Sequence, residues 1–145
     1  MDNKCIIIEI VLNAPPEKVW KALTDKNEMK KWYFDLEEFK PEVGFKFQFT
    51  GGPSPEKQYL HLCEIFEVIP KKRLTHSWRY EGYPGNSWLT FELTPQGNKT
   101  LLKLTHKDLG TFPEDNPDLA ISNFEAGWNS LINDSLADYF KTDRN

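Results

Sequence analysis

The fold of this chain is decided by the stretch LAISNFEAGWNSLINDSLADYF, residues 119–140. Its apolar side chains recur at intervals of three, four and five residues, close to multiples of the roughly 3.6-residue helical turn. This apolar stripe consists of Ile121, Phe124, Trp128, Leu131, Leu136 and Tyr139. The opposite side carries Asn123, Asn129, Asn133 and Asp138. The pattern predicts one long amphipathic helix whose stripe must cover another apolar surface.

Strand-like runs upstream of this helix supply such a surface. They cover residues 5–12, 45–50, 58–69, 74–81, 89–94 and 102–107. The clearest is the run in which Phe45, Phe47 and Phe49 alternate with polar residues, as in a half-buried strand. Turn-forming stretches at residues 51–55, 82–86 and 95–98 separate neighbouring runs. Because these connections are short, they predict hairpins and an antiparallel sheet.

Two short helices are predicted between the first and second strands. The sequence NAPPE at residues 13–17 is typical of a helix start, with prolines and an acidic residue in the first turn. A second helix is expected over residues 26–31. The chain is therefore predicted to be a single α+β domain over residues 1–145. Its curved antiparallel sheet of about six or seven strands would wrap around the long C-terminal helix.

Composition narrows the classes of function. The net charge of −4 and the lack of a basic face argue against nucleic-acid binding. No apolar run is long enough to span a membrane, and no signal peptide is evident, so we expect a cytoplasmic protein. Cys5 and Cys63 lie in strand-like runs and are expected to be small buried thiols. No phosphate-binding loop or metal motif is recognisable, so we expect no cofactor.

The order of these elements resembles the START-like superfamily, whose helix-grip fold is shared with the birch pollen allergen. Within it, the chain is similar to the activator of Hsp90 ATPase homologue family. The matching pieces are APPEKVWKALT at 14–24, Trp32, VGFKF at 43–47, EIFEVIP at 64–70, Arg73-Leu74, Trp78, TFELTP at 90–95, TLLKLTH at 100–106 and Gly127-Trp128. The resemblance implies a helix-grip fold, a possible cavity, a stress-response role and an Hsp90-type chaperone as partner. Because the sequence starts directly at the first helix-grip strand, we expect no full activation of such a chaperone.

The apolar strand faces and the helix stripe predict a site between the sheet and the C-terminal helix. The candidate ligand-binding residues are Phe47, Trp78, Tyr80, Phe91, His106, Phe124 and Trp128. A filled core explains them equally well, because an empty cavity of about 300 Å³ would cost roughly 7 kcal/mol at about 24 cal/mol per Å³. The polar groups of His76, Tyr80 and His106 favour a pocket with a few hydrogen-bonding points.

Other constellations have a simpler structural interpretation. His61, Cys63 and His76 offer three possible zinc ligands, but their spacing matches no known site. Cys63 with His76 as a nucleophile–base pair is equally weakly supported. The strand carboxylates are out of phase with the apolar faces and are expected to be solvated; they are Glu64, Glu67, Glu92 and Asp108. Trp88 is also out of phase and is expected at a sheet edge, on a partner surface or under a loop.

Three functions remain open at this point. The first is binding of a small apolar or aromatic, lipid-like molecule, with aromatic rings supplying contact area and His106 and Tyr80 supplying orientation. The second, implied by the resemblance, is a protein-interaction module that modulates an Hsp90-type ATPase. The third is a cofactor-free cyclase or hydrolase that uses His106 as a base. For His106 the alternative interpretation is a histidine bonded to its neighbours in the core.

Overall fold

The computed structural model describes residues 5–32, 36, 38–54, 56–113, 115–116, 119 and 121–142. Within them the sheet has six strands: β1 Cys5–Leu12, β2 Lys46–Ser54, β3 Lys57–Ile69, β4 Arg73–Tyr80, β5 Ser87–Gln96 and β6 Lys99–Lys107. Helices α1 Pro16–Thr24 and α2 Lys26–Trp32 follow β1. The sheet is antiparallel throughout, in the order β1-β6-β5-β4-β3-β2. The predicted α+β architecture is confirmed.

The C-terminal helix contains a π-helical segment. It begins as α3 Ile121–Asn129, continues as a π-helix over Ser130–Leu136 and ends as α4 Ala137–Thr142. Asn129 and Ala137, which flank the segment, have right-handed helical dihedral angles, so the three pieces run on without a break. π-helical segments are rare and usually span a single turn.

The π-helical segment changes which side chains of the helix are buried. The buried residues are Phe124, Trp128, Ile132, Leu136 and Phe140, at a constant spacing of four. The predicted stripe is therefore partly wrong, because Ile121, Leu131 and Tyr139 are only half-buried. A four-residue step overshoots one α-helical turn, but it falls short of the wider π turn. The drifts cancel, so this spacing keeps one face on the core.

A β-bulge in β3 reverses the alternation of that strand. Ile65 pairs with His76 and Glu67 pairs with Thr75, which leaves Phe66 between them without a partner in register. Before the bulge, odd-numbered residues of β3 face the core, and after it Val68 does. Phe66 itself is exposed on the outer face, where its ring meets Trp88 at 5.0 Å between centroids. Trp88 lies on the central strand β5 and not at a sheet edge, which was one of the three places expected for it.

Two further expectations from the sequence need correction. Residues 51–55 were expected to form a turn, but β2 continues through Gly51 to Ser54, with an irregular register between those two residues. Such irregularity lets glycine-containing strand ends bend and twist. Cys5 is exposed rather than buried, because its position in β1 points to the outer face, whereas Cys63 is buried as expected.

The short helices close one end of the core. α1 presents Val19, Ala22 and Leu23 to the interior. The indole Nε1 of Trp32, at the end of α2, donates a hydrogen bond to the Ala22 carbonyl at 2.9 Å. This bond fixes α2 on α1 and satisfies a buried indole N–H. In the described part of the chain, no helix has the length and apolarity needed to cross a membrane.

Candidate functional site

All seven predicted site residues are buried between the sheet and the helices. They are Phe47, Trp78, Tyr80, Phe91, His106, Phe124 and Trp128. They come from β2, β4, β5, β6 and α3. The inward-facing residues of these strands and the buried residues of α3 therefore face each other, as predicted. The structure divides them into two groups: one around His106, the other near His76.

A chain of hydrogen bonds runs through the group around His106. The Trp128 indole Nε1 donates to His106 Nδ1 at 2.9 Å. His106 Nε2 lies 2.7 Å from Ser87 Oγ. The Ser87 hydroxyl in turn donates to the Trp78 carbonyl at 3.0 Å. Farther along, the Trp78 indole Nε1 donates to the Tyr80 hydroxyl at 2.9 Å.

These partners determine the protonation state of His106. Because an indole N–H can only donate, Nδ1 must be the unprotonated nitrogen of the imidazole. The proton therefore sits on Nε2, which donates to Ser87 Oγ, and the ring is neutral. Burial, together with the charge that His76 would carry, lowers the pKa of His106 to about 3. A protonated ring would place two N–H groups, from His106 and Trp128, against each other.

The His106 group is closed to any second molecule as it stands. His106 is fully buried, and both of its ring nitrogens are engaged. Its ring lies edge-to-face with those of Trp78, Phe124 and Trp128, at centroid distances between 5.3 and 5.9 Å. This geometry favours the core-histidine interpretation and gives no support to a His106 base, which needs an available nitrogen within reach of a substrate proton.

A small cavity lies at the other end, between the sheet and the two short helices. Its volume is about 10 Å³. The residues that line it are Leu23, Met29, Trp32, Phe39, Phe47, Leu74, His76 and Phe91. Two of the predicted site residues, Phe47 and Phe91, are among them. The cavity thus lies beneath α1 and α2, and none of its lining residues comes from the C-terminal helix, beneath which the site was predicted.

His76 is the polar group in the wall of this cavity that can accept a further bond. Its Nδ1 lies 2.9 Å from the Ser77 carbonyl oxygen, which can only accept, so Nδ1 carries the proton. The lone pair of Nε2 has no hydrogen-bond partner among the residues that the structure describes. Burial lowers the pKa of His76 to about 4, so the ring is neutral and Nε2 is an acceptor. A buried acceptor left unbonded costs about 1–3 kcal/mol.

Phe39 lines both the cavity and a groove at the surface. The groove has a volume of about 440 Å³ and is lined by Glu17, Trp20, Lys21, Thr24, Asp25, Lys26 and Phe39. Among the lining residues of the two spaces, Phe39 is common to both. Its ring is buried and packs edge-on against Phe47 at 5.1 Å and Phe45 at 6.1 Å between centroids.

Sequence reasoning missed much of this cavity. Phe39 lies outside the regular elements, so no strand or helix period identifies it as inward-facing. Met29 is flanked by the charged residues Glu28 and Lys30 and shares its short helix with one other apolar residue. The signal that was available was Trp32, a large apolar residue at the end of that helix.

The other candidate groups are structural. His61 stacks on Phe49 at 4.5 Å between centroids, and its Nδ1 bonds the Tyr59 carbonyl. Burial lowers the pKa of His61 to about 4 and raises that of the Cys63 thiol. Among the described residues, no three His, Cys, Asp or Glu side chains are grouped closely enough to hold a metal ion.

The strand carboxylates lie away from the cavity. Glu67 and Glu92, on the outer face, flank Arg73 at 3.6 and 3.1 Å between charged atoms. All three side chains are more than a third exposed, so the ion pairs add little stability. Glu64 and Asp108 are half-exposed as well. None of these carboxylates faces the interior, which agrees with the solvated role expected for them.

Solved structures with the same fold match nearly the whole chain. The Mll3558 protein from Rhizobium loti is 22% identical, with a TM-score of 0.81 over 95% of this chain and 97% of its own. CalU16 from Micromonospora echinospora is 28% identical, with a TM-score of 0.74 over 98% of this chain and 79% of its own. The Aha1 dimer from Colwellia psychrerythraea is 22% identical, with a TM-score of 0.70 over 94% of this chain and 96% of its own. A comparison with curated proteins found no match.

Fold and matches together define a helix-grip domain of the START-like superfamily. The sequence profile described as activator of Hsp90 ATPase homolog 1-like protein matches residues 13–141. The chain belongs to that family. This fold commonly serves as a ligand-binding domain.

Proposed function

We propose that this protein binds a small apolar or aromatic molecule in its interior, between the sheet and the helices that cover it. The observation that carries the proposal is that Phe39 lines both the cavity of about 10 Å³ and the groove of about 440 Å³. The cavity alone is no larger than one water molecule requires. A ligand therefore needs the two spaces to join.

The closed state is the expected form of such a site without its ligand. An apolar cavity of ligand size is too costly to keep empty, so side chains fill it. Two residues in the cavity wall are suited to move. Phe39 lies on a segment without regular secondary structure, and Met29 has the unbranched, adaptable side chain that fills irregular spaces. Trp32, by contrast, is held by its bond to Ala22.

The predicted site residues have different roles in this proposal. Phe47 and Phe91 would contact the ligand directly, because they line the cavity. Trp78, Tyr80, His106, Phe124 and Trp128 would form the rigid floor next to it. The ring of Phe91 connects the two groups, since its centroid lies 6.4 Å from that of Trp128.

Substitution of Phe39 tests the proposal directly. Phe39→Ala removes the ring that lines both groove and cavity, so 1-anilinonaphthalene-8-sulfonate should bind at least tenfold faster than to the wild type in stopped-flow fluorescence. Phe66→Ala is the matched control, because it removes an equal ring from the exposed outer face. Equal binding rates in both variants would contradict the proposal. Native mass spectrometry, followed by organic extraction of any bound mass, would identify the natural ligand class.

Membership of the family favours a second candidate, a module that modulates an Hsp90-type ATPase in the cytoplasm. This candidate does not need the interior to open. Its test is the ATPase rate of the host's Hsp90-type chaperone with and without the purified chain. A rate unchanged at saturating ratios would remove this candidate and leave the first one untouched.

A further inference from the structure

We infer that the ligand carries a hydrogen-bond donor, such as a phenolic hydroxyl or a ring N–H, and directs it at Nε2 of His76. This inference rests on the proposed function, because it places the donor in the same interior site. It assigns to the ligand one specific polar contact within a site that is otherwise apolar.

The first step of the argument is the state of the His76 ring. Nδ1 is committed as a donor to the Ser77 carbonyl, which leaves Nε2 as a lone-pair acceptor. His76 is only 3% exposed, so bulk water does not reach it. Buried polar groups in native proteins nearly always have a partner. His76 Nε2 is an acceptor without a hydrogen-bond partner in the wall of a cavity, and a ligand that donates to it would explain this exception.

The second step is the chemistry of the remaining wall. Six of the residues around His76 are aliphatic or phenyl side chains without donors; they are Leu23, Met29, Phe39, Phe47, Leu74 and Phe91. The indole N–H of Trp32 is already committed to Ala22. The wall thus offers a ligand much apolar contact and one vacant acceptor. A molecule with an apolar ring and one donor matches both properties.

The third step is the contrast with His106, which was expected to orient the ligand. Its acceptor nitrogen already receives the Trp128 indole N–H, and its donor nitrogen already serves Ser87. A ligand could bond His106 only by breaking that chain. Orientation by His76 breaks nothing.

Three probes of similar size separate the inference from the proposed function. They are naphthalene, 2-methoxynaphthalene with an acceptor only, and 2-naphthol with a donor. By titration calorimetry on the wild-type protein, 2-naphthol should bind about tenfold more tightly than either of the others, as one added hydrogen bond allows. Equal binding of all three would overturn the His76 assignment and keep the proposed function. Binding of none would overturn both.

Substitution of the histidine gives an independent readout. In His76→Phe, 2-naphthol should bind no more tightly than naphthalene, and naphthalene should still bind. His61→Phe is the matched control, since His61 is a buried histidine outside the cavity wall. It should keep the tenfold advantage. An advantage retained in a folded His76→Phe protein would contradict the inference, and the wild-type comparison of probes decides the matter if either variant does not fold.

Discussion

The two ends of the interior differ in how many ring nitrogens of a buried histidine are hydrogen-bonded. At the C-terminal helix, His106 is bonded on both ring nitrogens, by Trp128 and Ser87. Beneath α2, His76 is bonded on one nitrogen only and borders a cavity. Both rings are buried and neutral, so burial alone does not separate a core histidine from a ligand contact. The number of ring nitrogens that have a hydrogen-bond partner separates the two.

This comparison separates stability from binding within one core. A satisfied polar chain in a low-dielectric interior makes one arrangement of the surrounding rings favourable and holds it rigid. An unsatisfied acceptor has the opposite effect, because it favours any state that brings it a donor. The His106 end is therefore expected to stabilise the fold, and the His76 end to change when a ligand binds.

The largest expected effect is unfolding in acid. The chain's three histidines are all buried, and their pKa values are lowered from 6.5 to about 4 for His61 and His76 and about 3 for His106. The unfolded chain therefore binds more protons than the folded one below pH 6.5. Stability is complete above that pH and should fall by about 1.4 kcal/mol per histidine for each unit below it. Urea titrations between pH 7 and 4 measure this slope.

The pH dependence of the free energy of unfolding also allows the His106 end and the His76 end to be compared. Replacement of either His106 or His76 by Phe should remove one of the three protons taken up on acid unfolding. A free energy of unfolding that stays constant from pH 7 to 4.5 would contradict the neutral, buried state that both ends share.

The next largest effect concerns the closed end. Trp128→Ala removes a buried indole and leaves His106 Nδ1 without its donor, so it should lower the free energy of unfolding by about 4–5 kcal/mol. Trp128→Phe keeps a smaller aromatic ring and loses the donor, and should cost about 1–3 kcal/mol. Chemical denaturation measures both. No loss in Trp128→Phe would mean that the hydrogen bond to His106 contributes nothing, and near-equal losses in the two variants would mean that the ring contributes little beyond its N–H.

A smaller effect is expected where the β4–β5 loop packs on the closed end. Gly85 has φ +109°, and a Cβ there would lie 2.6 Å from the Thr111 carbonyl oxygen and 2.7 Å from Phe112 Cδ1. Phe112 in turn packs against Tyr80 and Phe124. Gly85→Ala should therefore cost about 2–3 kcal/mol.

Gly97 is the matched control for this substitution. It has φ +64°, but a Cβ there would meet no described atom within 4 Å. Gly97→Ala should cost only the left-handed conformation, about 1 kcal/mol. If thermal unfolding shows equal losses for both variants, the loop does not support the closed end.

The smallest effect is kinetic and reports on opening at the His76 end. Cys5 is exposed, whereas Cys63 is buried and pairs in register with Phe47 of the cavity wall. Burial also raises the pKa of the Cys63 thiol, which suppresses its reactive thiolate. Ellman's reagent should therefore modify one cysteine rapidly and Cys63 only through opening. The Cys5→Ser variant isolates the slow phase, which Phe39→Ala should accelerate. Two equally fast cysteines would contradict a closed interior.

The sequence predicted the elements whose pattern has a single period. The alternation in β4, β5 and β6 placed Trp78, Phe91 and His106 inward, because a pleated strand has only two faces. A prediction from periodicity fails where the number of residues per backbone repeat changes. The bulge at Phe66 and the π-helical segment each shift the phase without a residue type that announces the shift.

The candidate site was less predictable for the same reason. Phe39 belongs to no periodic pattern, yet it lines both the cavity and the groove. The difference between His76 and His106 depends on which donors lie within about 3 Å of each ring nitrogen, and this is decided by residues distant in sequence. Trp128 is one example, since it lies 22 residues from His106 and on another element. Aromatic content indicated a ring-lined interior but not which histidine would be left with a vacant nitrogen.

The most direct test of the account is nitrogen NMR of the histidine rings of the wild-type protein during titration with 2-naphthol. We predict that free protein shows three neutral imidazoles and that the ligand shifts the Nε2 signal of His76 in the direction of an accepted hydrogen bond. The Nδ1 and Nε2 signals of His106 should stay within their starting linewidths. A shift at His106 with none at His76, in a protein that binds 2-naphthol, would contradict the assignment of the two ends.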